Sequence, residues 1–287
     1  MNSNITNDEL FKAIQLAVKD KTPLSYVRLG DGEVQLLKLP IHCQSPSDEE
    51  IHTLSLTYIF RRHNETYTKD AYETSLFLQK FKKIILDSIK GSDYLGMFTY
   101  QEIINLREMG ETSVDNNYVA SKVVFDYYNI DTTKLKICSP VFNRYPALGY
   151  IDNFKELIGN ERITIMTDMT DELKENKKFK DTFGDSVDFI SVKHNHATDT
   201  DKSFYQREYL RSQFKNIKTH VVLYGLGGGA KDLCNELKND WGKCVIDMGS
   251  VLDAWAGHIS RPTYRGFWGH CLTVPFSEVK LKPTCIL

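Results

Sequence analysis

The stretch "HVVLYGLGGGAKDLCNEL", residues 220–237, reads as a strand, a glycine loop and a helix in direct succession. The apolar, β-branched run before the glycines has strand character, and the residues after them suit a helix. Gly225, Gly227 and Ala230 match a G-x-G-x-x-A spacing, and Asp247 closes the next apolar run, about where a dinucleotide site carries an acid. Small residues here let a diphosphate approach backbone N–H groups at a helix N-terminus. They serve equally to let a strand and a helix pack closely. A dinucleotide fold usually opens with such a unit, whereas only residues 248–287 follow Asp247. The unit is therefore read as a βα turn inside a parallel sheet, either phosphate-friendly or merely close-packed.

The same rhythm extends outward from this unit. "LKICSPVF", "RITIMT", "VDFISV" and "KCVIDM" are short apolar runs, separated by helical or turn segments such as "FKELIG", "TDELKENKKFKDTF" and "SFYQREYLRSQFKN". Upstream, "LSYVRL" and "DYLGMFT" read as strands, and "DELFKAIQLAVKD" as a first helix with Asn7 as its cap. "EVQLLKL" reads as a short helix or extended chain, and helices are expected around "QEIINLREMG" and "NNYVASKVVFDYYN". Strands alternating with helices imply an α/β fold, a Rossmann-like, mainly parallel sheet flanked by helices. No Pro/Gly/Ser-rich linker divides the chain. One domain over residues 1–287 is expected, with a helical insertion at about 45–90 and an irregular C-terminal arm at about 256–287.

Composition narrows the function classes. The chain has 287 residues, 41% hydrophobic and 26% charged, and a net charge of −2; a nearly neutral surface gives no global basis for nucleic-acid binding. An anionic substrate would need local devices: a metal, helix N-termini, a few Arg and Lys. No apolar run approaches the roughly 20 residues of a membrane span, and the polar start "MNSNITNDEL" lacks a signal peptide's apolar core. Six scattered cysteines without a Cys-x-x-Cys pair favour reduced thiols over a disulfide framework or zinc site. A soluble, cytoplasmic protein is the expectation.

In open parallel sheets, ligands bind beyond the carboxyl ends of the strands. Three loops rich in glycine and acid fall at such ends: "LGDGE" after "LSYVR", "GLGGGAK" after "HVVLY", and "DMGSVLDAW" after "KCVI". In the first, Asp31 and Glu33 stand beside Gly30 and Gly32 on a turn expected to face solvent. Two carboxylates at i and i+2 suit a hard divalent cation, Mg²⁺ or Mn²⁺, which takes oxygen ligands and bridges protein carboxylates to phosphates. Gly-Asp-Gly is also ordinary turn material. Arg28 offers a counter-charge to phosphate or an ion pair with Asp31.

In the third loop, Asp247, Asp253 and His258 surround Trp255. An acid there suits a general base for an acceptor hydroxyl, and the indole suits either a sugar face or the core. His194, His196 and Asp199 have transition-metal ligand types, though histidines so spaced are more often surface or hydrogen-bonded residues. Arg144 in "PVFNRYP" is a phosphate clamp or an ion-pair partner. The arm "HISRPTYRGFWGH", residues 258–270, is suited to close over an acceptor or to meet another subunit.

Taken in order, "VRLGDGE", "LGMF", "FNRY", "KHNHA", "LYGLGGGAKDL" and "VIDMGSVLDAW" resemble the bacterial GT-D glycosyltransferases, once catalogued as the domain of unknown function DUF1792. Asp31 and Glu33 match that family's Asp-x-Glu, its metal and nucleotide-sugar motif. Arg144 matches a Ser/Thr-Arg element, Asn195 a Lys-Asn element, and Ile246 to Gly249 an Ile-Asp-Ile-Gly strand end. Gly227 to Ala230 stand where the family has Gly-Pro-Thr-Ala, and Ser250 where it often has His.

The resemblance implies a GT-D type fold and transfer of a hexose from a nucleotide sugar, expected to be UDP-linked, to a glycan or lipid-linked acceptor in surface polysaccharide or glycoprotein glycan synthesis. It implies Mn²⁺ or Mg²⁺ on Asp31 and Glu33, with Arg28, Gly30, Gly32, Arg144, Asn195, Gly225, Gly227, Gly228 and Asp247 toward the donor. Asp253 is the assigned base. The expected setting is the cytoplasm or the inner face of the membrane, as a peripheral protein or a homo-oligomer. Two rivals are an NAD- or S-adenosylmethionine-dependent enzyme using the glycine loop, and a non-catalytic scaffold that kept the fold.

Overall fold

The alternation of strand and helix is realised as a seven-stranded sheet. The structure, a computed structural model, describes residues 4–30, 33, 34, 37, 71–98, 114–140, 150–192, 206–259 and 280–281. The strands are β1 (Leu24–Arg28), β2 (Tyr94–Gly96), β3 (Ile137–Cys138), β4 (Ile163–Thr167), β5 (Val187–Ser191), β6 (Val221–Gly225) and β7 (Cys244–Asp247). Their order is β3-β2-β1-β7-β6-β4-β5, and every neighbouring pair is parallel. Parallel strands need crossovers that cover both faces. Here α1 (Asn7–Asp20) precedes β1, the crossovers include α2 (Ala71–Gly91), α3 (Val114–Tyr127), α4 (Ile151–Ile158), α5 (Thr170–Glu175), α6 (Lys177–Phe183), α7 (Arg207–Phe214) and α8 (Leu233–Trp241), and α9 (Val251–Trp255) follows β7.

The period-2 pattern of the strands divides the core into two faces. Val221 and Leu223 of β6, Cys244 and Ile246 of β7, and Ile163 and Ile165 of β4 pack with α1, α4 and α9 on one side. Val222, Tyr224, Val245 and Met166 point the other way, towards α7 and α8. Leu29, Leu95 and Ile137 share a third cluster with α2 and α3. Each such side chain contributes roughly 1.5–3 kcal/mol when fully buried, and β4, β6 and β7 are buried at every position but Gly225.

Local signals explain where elements begin and end. Thr6, not Asn7, caps α1: its hydroxyl accepts from Glu9 N–H while the Glu9 carboxylate accepts from Thr6 N–H, a reciprocal capping box. Leu10, Ile14, Ala17 and Val18 then form the buried stripe of α1. The segment "TDELKENKKFKDTF" is two helices rather than one, because Asn176 turns extended and its side chain caps α6 through Phe179 N–H at 3.0 Å. Gly242 ends α8 in the left-handed conformation, φ 64°.

Of the helical insertion, the described part is α2; residues 45–70 lie outside the described residues, as does "QEIINLREMG". In the C-terminal arm, β8 (His258–Ile259) pairs in parallel with β9 (Lys280–Leu281). Among the described residues no helix is long and apolar enough to cross a membrane.

Candidate functional site at the carboxyl edge of the sheet

Because β1, β7 and β6 are adjacent and parallel, the three loops singled out in the sequence meet at one edge. Four charged side chains converge there. Arg28 is the last residue of β1, Asp247 the last of β7, and Lys231 follows the 3-10 turn Gly228–Ala230 beyond β6. Glu33 sits one turn past β1, in a segment tightened by Val34 N–H donating to the Gly30 carbonyl at 3.2 Å.

The Lys231 ammonium is the centre of the group. It donates to Glu33 Oε1 at 2.7 Å and to the Arg28 carbonyl, and lies 3.4 Å from Asp247 Oδ2. Asp247 also accepts from Arg28 N–H at 3.1 Å, and its Oδ1 lies 3.7 Å from Arg28 Nε. Arg28 Nη1 reaches the Pro140 carbonyl beyond β3 at 3.3 Å. The side chains of Lys231 and Asp247 are each 4% exposed, Arg28 13% and Glu33 14%.

Glu33 is therefore not on a solvent-facing turn, as the sequence reading expected. A lysine from the β6 loop draws its carboxylate inward. Burial pushes the Glu33 carboxyl up, but the Lys231 ammonium, with Arg28 adding to it, outweighs this and holds it below the usual carboxylate range. Burial likewise pushes Lys231 down, and Glu33 and Asp247 outweigh it, so it stays cationic. Two cations and two anions leave the cluster neutral overall.

Three glycines admit these side chains. A Cβ on Gly249, whose φ is +50°, would stand 2.4 Å from Arg28 Nη2. One on Gly228 would stand 2.8 Å from Phe81 Cζ and 3.3 Å from Glu33 Cγ, and one on Gly30 would stand 2.6 Å from Glu33 Oε2. Gly225 is small for packing, since a Cβ there would stand 2.6 Å from Leu252 Cδ1; Gly227 needs its φ of +69°. A second clamp holds the loop from outside: Arg207 forks onto Asp232 at 2.6 and 2.8 Å and donates to the Gly229 carbonyl at 3.2 Å. Such planar, paired contacts restrict the loop to one geometry.

The remaining sequence candidates fall as follows. Asp253 is on α9, one turn beyond the Asp247 strand end, and is half-buried. Trp255 is core: its ring lies 5.4 Å from Phe154, 6.0 Å from Phe183 and 6.4 Å from Phe179 between centroids, with 0% exposure. An indole so enclosed does not stack on a sugar. Asp31, Gly32, Arg144, His194, Asn195, His196 and Asp199 lie outside the described residues.

A divalent cation bridging protein to diphosphate takes one or two carboxylate oxygens and completes its shell with water and substrate oxygens. Glu33 suits one such position. Lys231 holds one of its oxygens, and the second faces the space that the missing side chain of Gly30 leaves. Among the described residues no three acids, histidines or cysteines gather as a self-contained metal cage. Lys231, Arg207 and Asp232 carry no assigned role in the sequence reading. The available signal for Lys231 was its place directly after a glycine loop at a strand's carboxyl end.

Residues 5–255 match the model of the GT-D fold-like domain. Among solved structures, a selenomethionine-substituted domain of unknown function 1792 shares 18% identity at a TM-score of 0.51, covering 97% of this chain and 90% of that one. A glycosyltransferase (DUF1792) from Streptococcus sanguinis shares 16% identity at a TM-score of 0.49, covering 95% of this chain and 92% of that one. No curated protein matches the sequence.

Proposed function

The chain belongs to the GT-D fold-like domain family, and from that premise we propose that it is a glycosyltransferase moving a hexose from a nucleotide sugar, UDP-linked, to a hydroxyl on a glycan or lipid-linked acceptor. The observation that carries this reading is the convergence of Arg28, Glu33, Lys231 and Asp247 at the carboxyl ends of three adjacent parallel strands.

In the reaction the bond between the sugar's anomeric carbon and the diphosphate oxygen breaks. A bond from that carbon to the acceptor oxygen forms, and the acceptor proton passes to a base. Asp31 and Glu33 would hold Mn²⁺ or Mg²⁺, which when bound offsets the charge that grows on the leaving diphosphate. Arg28, kept in place by Asp247 and the Pro140 carbonyl, contributes fixed positive charge beside that position. The glycine loop supports Glu33 from beneath, since Gly228 lets its side chain lie against the turn. Arg144 and Asn195 are assigned to the donor and Asp253 to the proton, by their places in the family pattern. A lipid-linked acceptor implies work at a membrane surface; among the described residues no helix is long and apolar enough to cross it.

The test is UDP release from a panel of UDP-hexoses, with Mn²⁺, Mg²⁺ or chelator, for wild type and Asp31→Ala. Metal-dependent release that falls by about 100-fold or more in Asp31→Ala is expected. Release indifferent to both metal and Asp31 would overturn the assignment, as would tight binding of NAD or S-adenosylmethionine in its place.

A further inference from the structure

Resting on the donor site just proposed, we infer that Lys231 is its positioning residue: its ammonium fixes the Glu33 carboxylate in the orientation that the cation and the donor's diphosphate require. An ammonium has three N–H donors and no acceptor. Lys231 has three oxygens around it: the Arg28 carbonyl, Glu33 Oε1 at 2.7 Å and Asp247 Oδ2 at 3.4 Å. Two of these contacts are hydrogen bonds and the third is an ion pair, so the ammonium cannot turn to a phosphate without abandoning one of them. Its role is to hold, not to bind substrate.

The three acceptors come from separate places, the end of β1, the turn after it and the end of β7, while the lysine backbone belongs to the β6 loop. Its N–H closes that loop onto the Gly228 carbonyl at 3.3 Å. One buried side chain therefore sets the relative position of all three site loops. Stability alone is a poor account of the arrangement. Buried ion pairs are often matched or bettered by apolar packing, and Lys231 is surrounded by charge rather than by the apolar core below it. Partners that orient a metal-binding carboxylate act on affinity without touching the metal.

The test measures Mn²⁺ affinity in the presence of UDP by the electron paramagnetic resonance signal of free Mn²⁺, on full-length wild type, Lys231→Met, Glu33→Gln and the double variant. Folding is checked by circular dichroism. Lys231→Met is expected to fold and to bind Mn²⁺ about 10–100-fold more weakly, the range for loss of an orienting partner. Adding Lys231→Met to Glu33→Gln is expected to change affinity little further, because two residues acting as one unit are not additive. The double variant removes one charge of each sign, so set against Glu33→Gln it reads what Lys231 contributes without the carboxylate, even where the single lysine variant does not fold. Mn²⁺ affinity within about twofold of wild type in folded Lys231→Met would overturn the inference. So would a full additive loss in the double variant, or a fall in UDP affinity equal with and without Mn²⁺, which marks direct contact with the diphosphate. Wild type binding no Mn²⁺ with UDP overturns the proposed function and this inference together; wild-type binding unmoved by the lysine variants overturns the inference alone.

Discussion

Two substitutions of one residue are expected to part company. Glu33→Ala removes an acceptor from the buried Lys231 ammonium but leaves it the Arg28 carbonyl and Asp247. Its loss of stability should be about 2 kcal/mol, below the roughly 3–5 kcal/mol of a buried pair broken outright. Glu33→Gln keeps a carbonyl oxygen for Lys231 and should stay within about 1 kcal/mol of wild type, while losing the carboxylate a cation needs. Urea unfolding separates the two; equal stabilities would mean that the Glu33–Lys231 contact carries no weight. At Gly249 a side chain meets both a left-handed φ of +50° and the Arg28 guanidinium. Gly249→Ala should therefore cost about 1–3 kcal/mol and displace Arg28, lowering UDP affinity as well as the unfolding midpoint. The residue scale is also where sequence reading ran shortest. Glu33 and its acidic motif were legible as a short local pattern. Lys231 was not, because its partners lie 198 and 203 positions away and no spacing rule spans that separation.

At the scale of elements, strands and their carboxyl-edge loops were readable because parallel strands covered on both faces become continuous apolar runs. β4, β6 and β7 are buried at nearly every position. Boundaries were less legible where a side chain decides them, as Asn176 does in splitting α5 from α6 and Thr6 does in starting α1. The glycine loop shows why a short motif underdetermines function. Gly225 and Gly228 each have a packing reason to be small, and Gly227 a conformational one, whatever ligand approaches. Two predictions separate loop from scaffold. Thr6→Ala removes half of a capping box on α1, a helix that supplies none of the four clustered side chains, and should cost about 1 kcal/mol with UDP release unchanged. Gly228→Ala drives a methyl group toward Phe81 and Glu33 and should depress UDP release more than its effect on the unfolding midpoint explains. Equal proportional effects of the two variants on release would contradict this division.

Across the whole molecule the two edges of the sheet do different work. The carboxyl edge gathers the charged cluster. The opposite edge is tied by scaffold contacts: Lys243 donates to the Ile217 and Thr219 carbonyls at 3.0 and 2.7 Å, and His220 Nε2 donates to the Ala17 carbonyl at 3.1 Å, joining the entry of β6 to α1. Burial lowers the His220 pKa below its ordinary 6.5, with Lys21 and Lys243 adding to the effect and the carbonyl contact opposing it. In the window between the lowered folded value and 6.5, the unfolded chain binds more protons, so stability rises with pH there and falls as the solution is acidified. Glu33 adds a second, lower window: its depressed folded pKa gives stability above the ordinary 4.5 that is lost as pH falls through the folded value. His220→Gln should flatten the first window and leave the second, as read by unfolding midpoints across pH; an unchanged profile would remove His220 from the account.

The carboxyl edge of β1, β7 and β6 is proposed as a nucleotide-diphosphate site in which the Glu33 carboxylate matters chemically. Calorimetric titration of UDP into wild type and Glu33→Gln, each with Mn²⁺ and with chelator, tests it most directly. Saturable wild-type binding that depends on Mn²⁺ is expected, with about 10-fold or greater weakening in folded Glu33→Gln. Absence of binding to wild type, or equal metal-independent binding by both proteins, would contradict it.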